Sequence, residues 1–149
     1  MDQNVKRIEI TLIGHYWDLI PEYAIYCDDK LICRKEIATA TEIPHVESFD
    51  YIGTGLPKLR IDFENKMTDQ SVLNLDRTRL IRDMSLEVNK ISIDGVEMDF
   101  IKHCVYTLDQ KYMFNGVLTK EIVYSELNKF IDLGFNGSLR TDFNIVNTP

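Results

Sequence analysis

The feature that most constrains this chain is a two-residue hydrophobic period that recurs along its length. It is cleanest where Leu59, Ile61 and Phe63 alternate with Arg60, Asp62 and Glu64. Side chains on an extended strand point alternately to either face, so this pattern makes a strand with one buried face and one solvated face. The same period runs through Val5 to Gly14, where Ile8, Ile10 and Leu12 alternate with Glu9, Thr11 and Ile13 and Gly14 closes the run. Met84, Leu86 and Val88 share a face of another strand. Ile91 and Ile93 continue it out of phase, and the slip at Asn89-Lys90 predicts a β-bulge.

Turn chemistry divides these runs. Tyr23 to Cys27 and Leu31 to Ile37 flank Asp28-Asp29-Lys30, which predicts a hairpin. Asp94-Gly95 supplies a further turn. Asn136-Gly137, ahead of Leu139, Thr141, Phe143 and Ile145, predicts the tight turn of a last hairpin. Residues 38–56 are less regular, with Pro44 and Gly53-Thr54-Gly55 marking loops and Phe49, Tyr51 and Ile52 a short strand. Residues 65–78 read as a long loop, and Phe100 to Leu108 as a strand. Thr119 to Phe130 reads as a short helix, with Val123, Leu127 and Phe130 on one face. Counting the runs gives about eight strands, the spacing of an all-β, antiparallel, jelly-roll-like β-sandwich. No repeat or low-complexity linker divides the chain, so residues 1–149 form one domain.

Charge excludes some functions. With 17 basic against 24 acidic residues the chain carries −7, and an acidic surface repels phosphate backbones, which argues against nucleic acid. No apolar run is long enough for a membrane helix, and the N-terminus has no signal-peptide core. Cys27, Cys33 and Cys104 are odd in number and lack C-x-x-C spacing, the usage of buried thiols in a reducing compartment.

Catalytic signatures are missing as well. His15, His45 and His103 lack zinc-hydrolase spacing, and His103 and Cys104, neighbours on one strand, point to opposite faces. No nucleophile elbow, phosphate loop or dinucleotide fingerprint occurs. An enzyme would need a cleft with paired carboxylates. The expectation is a binding or assembly protein with no catalytic residue and no required cofactor. Calcium is the one ion to consider, because Asp28-Asp29, Asp69, Asp76, Asp83 and Asp94 fall in or beside loops that could offer it oxygen ligands. The candidate ligand-binding residues are aromatic: Trp17 with Tyr16, and Tyr23 with Tyr26, as a sugar-stacking platform. The competing reading packs Trp17 beneath a corner of the sandwich.

Two stretches carry a resemblance: Phe63-Glu64-Asn65-Lys66, and Asp83-Met84-Ser85-Leu86-Glu87-Val88-Asn89-Lys90-Ile91-Ser92-Ile93-Asp94-Gly95. They resemble the β-sandwich module of calcium-dependent, xylan-binding type, and more closely the stand-alone version of that fold in small virion proteins of tailed bacteriophages. Leu133-Gly134-Phe135-Asn136-Gly137-Ser138-Leu139, with Phe143 and Pro149, resembles the closing strand of the phage version. The likeness spans residues 5–14, 57–100 and 133–149. It implies a virion protein, assembled in the host cytoplasm and present in multiple copies. That protein would contact other virion proteins in a tail, fibre, baseplate or decoration. The alternative it implies is a glycan-binding module or receptor-binding adhesin that contacts cell-surface glycan. Lys66 departs from the sugar-binding modules, which carry an acidic residue there, and its charge opposes a calcium ion at that position.

Overall fold

A computed structural model describes residues 5–67, 70, 72–73, 75, 80–99, 103–114, 117–123, 131–133 and 136–141. Its strands are, in chain order, β1 (Val5–His15), β2 (Glu22–Cys27), β3 (Lys30–Glu36), β4 (Pro44–Ile52), β5 (Leu59–Phe63), β6 (Val72–Leu73) and β7 (Leu80–Arg82), then β8 (Ser85–Ile93), β9 (Val96–Glu97), β10 (Cys104–Phe114), β11 (Val117–Val123), β12 (Ile131–Leu133) and β13 (Gly137–Thr141). One antiparallel sheet has the order β12-β8-β1-β4, with β9 paired to β8; the other has the order β11-β10-β13-β5-β2-β3. The short strands β6 and β7 pair with each other.

The two-residue period explains why these sheets stack. Ile8, Ile10 and Leu12 of β1 and Leu86, Val88 and Ile91 of β8 line the inner face of the first sheet. Tyr23 and Ile25 of β2, Ile61 and Phe63 of β5, Tyr106 of β10 and Leu139 of β13 line the second. All are buried, and each large aliphatic stabilises the fold by about 1.5–3 kcal/mol relative to exposure. This is the all-β antiparallel sandwich that the alternation implies.

Local predictions fare unevenly. The bulge falls where the phase slips: Thr11 pairs with Lys90 but Leu12 with Val88, leaving Asn89 as the extra residue. Asp28 and Asp29 both adopt positive φ, as do Asp94 and Gly95, the conformation of a two-residue hairpin turn whose twist matches its strands. The predicted helix over 119–130 is overturned in its first part, because Val117–Val123 is strand β11, paired with β10. Its remainder, 124–130, lies outside the described residues. The stretch around Pro44 is a nine-residue strand, β4, with proline at its first position, where a sheet edge tolerates a missing N–H. Within the predicted long loop, 72–73 are strand β6.

Asn136-Gly137 is not a hairpin turn. β12 pairs with β8 in the first sheet, while β13 pairs with β5 and β10 in the second, so the chain changes sheet between them. The glycine is required by proximity: a Cβ at Gly137 would collide with the Thr107 carbonyl oxygen and crowd the Tyr106 ring.

The register places several connections at one end of the sandwich, here called the loop end. β1 finishes there at His15, opposite Ser85 at the start of β8. β5 finishes there at Phe63, opposite Tyr23 near the start of β2 and Gly137 at the start of β13. The links 16–21, 37–43 and 83–84, and the residues that follow Phe63, therefore gather at this end.

Candidate functional site

Trp17, the chain's one tryptophan, stands at the loop end with 41% of its surface exposed. Its indole Nε1 donates to the Gln70 carbonyl oxygen at 2.9 Å, and the Arg82 guanidinium carbon lies 5.1 Å from the ring centre. Gln70 is itself buried; its Oε1 accepts from the Leu19 backbone N–H at 3.3 Å and its Nε2 reaches Asp18 at 3.4 Å. The indole is thus fixed at its polar edge and by a cation over its face, yet much of its apolar surface stays in water. A ring held this way needs no ordering when a ligand arrives.

The four aromatic candidates do not form one platform. Tyr16, beside Trp17, turns inward: its ring packs against Gly14 and the core cluster, and its hydroxyl donates to the Thr39 carbonyl at 3.0 Å. Tyr23 is fully buried, so its ring is core rather than a stacking surface. Its hydroxyl lies 2.9 Å from His45 Nε2 and donates to Glu47 Oε1 at 2.5 Å, while Lys35 Nζ meets the same oxygen at 2.6 Å. His45 and Glu47 belong to β4 and Tyr23 and Lys35 to β2 and β3, so this cluster ties one sheet to the other. Burial, reinforced by the Glu47 carboxylate, pushes the Tyr23 hydroxyl far above its ordinary range. Burial alone would raise Glu47, but the hydrogen bonds from Lys35, Tyr23 and His45 outweigh it and hold the carboxyl below its usual range. Tyr26 lies on the outer face of the second sheet, with the Arg60 guanidinium 3.9 Å over its ring and Arg34 donating to its hydroxyl at 2.9 Å.

The residues that carry the resemblance serve as clamps of the loop end. Asn65 Oδ1 accepts from the Glu22 N–H at 2.7 Å and its Nδ2 donates to the Ile20 carbonyl at 2.9 Å, pinning the β1–β2 connection. Asn136 grips the backbone of Lys66 twice, accepting from its N–H and donating to its carbonyl, both at 2.8 Å. The Lys66 ammonium, its side chain only 9% exposed, sits 2.7 Å from Asp83 Oδ1.

These residues do not suit calcium. Asp83 already holds an ammonium, both asparagines are engaged with backbone, and among the described residues no three His, Cys, Asp or Glu side chains converge. Asp28 accepts from the Lys58 N–H and Asp94 from the Arg7 N–H, each at a turn remote from the loop end. Asp69 and Asp76 lie outside the described residues. Cys27 and Cys104 are buried thiols, poorly placed to ionise. Burial, then Asp99, pushes Cys104 up to about 12, and burial, then Asp28, pushes Cys27 up to about 11.

Sequence reasoning found Trp17 but not its partners Gln70 and Arg82, which nothing in the pattern sets apart. It noticed Asn65 and Asn136 only as parts of motifs.

No family model matches the chain, and no curated protein matches it. Solved structures do. The structure of vCBM60 in complex with galactobiose aligns with a TM-score of 0.53 at 14% identity, covering 91% of this chain and 97% of its own. A selenomethionine form of vCBM60, described with a circular permutation linking two families of calcium-dependent carbohydrate-binding modules, aligns at 0.51 and 14%, covering 92% and 90%. This chain therefore shares the β-sandwich fold of those carbohydrate-binding modules. Neither structure bears on the expected place in a virion.

Proposed function

We propose that this domain is a non-catalytic glycan-binding module that takes a short oligosaccharide at its loop end. The observation that carries the proposal is the Trp17 indole, exposed yet fixed by Gln70 and Arg82. A pyranose offers an apolar C–H face to an aromatic ring and a rim of hydroxyls to planar polar groups. The Arg82 guanidinium over the ring, and Asp18 beside the Gln70 amide, are placed to receive that rim. The vCBM60 fold with its bound galactobiose supports the choice of ligand class and suggests galactobiose as a first probe. Because Lys66 occupies Asp83, binding proceeds without calcium.

A glycan array of the purified domain, run with calcium and then with chelator, tests this. Specific binding in both conditions, lost in Trp17→Ala, is the expected result. Loss on chelation alone would return calcium to the site, and no binding by the unmodified domain in either condition would overturn the proposal. Membership of a virion, assembled in a host cytoplasm, is a second reading that rests on the sequence resemblance alone. Its test is mass spectrometry of purified particles.

A further inference from the structure

β3 and β4 end their sheets, each paired on one side only among the described strands. Both edges lie on the same side of the sandwich, since Lys35 of β3 reaches Glu47 of β4 at 2.6 Å. They are also long and exposed, of seven and nine residues, with Leu31 44% and Val46 53% exposed and Ile32 and Ile52 also open to water. Such edges offer unpaired backbone groups as a template for another strand.

Two symmetric pairings are open to a second copy. β3 runs toward the loop end and β4 away from it, because β2 starts there and β1 finishes there. A two-fold axis along the sheet-stacking direction sets β3 against β3 and β4 against β4. A two-fold axis parallel to the strands sets β3 of each copy against β4 of the other, also antiparallel. Charge separates the two. β3 carries Lys30, Arg34 and Lys35 against Glu36, while β4 carries Glu47 and Asp50 and no lysine or arginine. Arg34 is paired with Glu64 and Asp50 with Arg7 within the chain, so Lys35 and Glu47 decide: like-with-like pairing sets strands bearing the same charge against each other, whereas the crossed pairing sets each of these two beside its opposite.

We propose that the chain forms a two-fold dimer in which β3 of each copy pairs with β4 of the other, joining the two sandwiches edge to edge. Rotation about an axis along the strands leaves heights unchanged. Lys35, level with its own Glu47, therefore comes level with the partner's Glu47, and Arg34 with the partner's Ser48. Inward-facing residues meet inward-facing ones and outward-facing ones meet outward-facing ones, as continuous sheets require. This dimer is independent of glycan binding, since it leaves Trp17 outside the interface.

Light scattering after size exclusion, followed by sedimentation equilibrium, tests the proposal on the full chain. The expected mass is twice 17.4 kDa, with dissociation on dilution. Ser48→Arg sets a cation against β3 and is expected to weaken the dimer by roughly tenfold, whereas Ser48→Glu leaves it equal or tighter. Ser48 is exposed, so both variants keep the fold, which circular dichroism verifies. A monomer at all concentrations overturns the proposal. So does the reverse order of the two variants, which would mark β4 against β4.

Discussion

Replacing Tyr23 by Phe removes one oxygen from the buried cluster between the sheets and leaves the ring packing intact. The lost group donates to Glu47 at 2.5 Å and stands 2.9 Å from His45. A hydrogen bond to a charged group contributes about 1.5–3 kcal/mol. Glu47 and His45 are largely shielded from water, so little solvent replaces it. A loss near 2 kcal/mol lowers the melting temperature by roughly 4–8 °C for a domain of this size. Urea unfolding monitored by circular dichroism measures the free energy, and an unchanged m-value confirms that the same surface unfolds. A variant within about 0.5 kcal/mol of the parent, the range of ordinary surface substitutions, would refute the idea that this cluster ties the sheets together.

Other outcomes follow from the same contacts. Glu47 has its carboxyl held below the usual range, so its contribution is complete above the ordinary carboxylate pKa and fades as pH falls through its own lower value. Acid unfolding of Glu47→Gln should therefore show a shallower pH dependence there than the parent, and identical slopes would contradict the assignment. Asn136→Ala removes two hydrogen bonds to the Lys66 backbone and is expected to cost about 1–3 kcal/mol in denaturant unfolding. Gly137→Ala must displace the Thr107 backbone or its own strand, and a cost of about 1–3 kcal/mol or more is expected, with a thermal shift near zero counting against the close approach.

What the sequence revealed depended on whether burial and turn conformation were written in residue type. β1, β5 and β8 were legible because apolar and polar residues alternate cleanly, and the slip at Asn89 showed even the bulge. β4 was legible only over Phe49 to Ile52, because the other half of its inward face is His45 and Glu47, polar residues satisfied by Tyr23 and Lys35 from the opposite sheet. Residues 119–123 read as helix because a short apolar run fits either period, and only pairing with β10 decides between them. Gly137 misled because close backbone approach and positive φ both call for glycine. At the site, the sequence supplied Trp17 but could not show that Tyr16 and Tyr23 turn inward, since that depends on contacts with Thr39 and Glu47 distant along the chain.

The most direct test of the central claim uses the chain's single tryptophan as its own reporter. Trp17 fluorescence would be titrated with the glycan that the array selects, in chelator. A saturable change in intensity or wavelength, absent with an unselected sugar, is the predicted result. Binding confirmed by calorimetry with no change at Trp17 would place the ligand elsewhere on the sandwich and contradict the account.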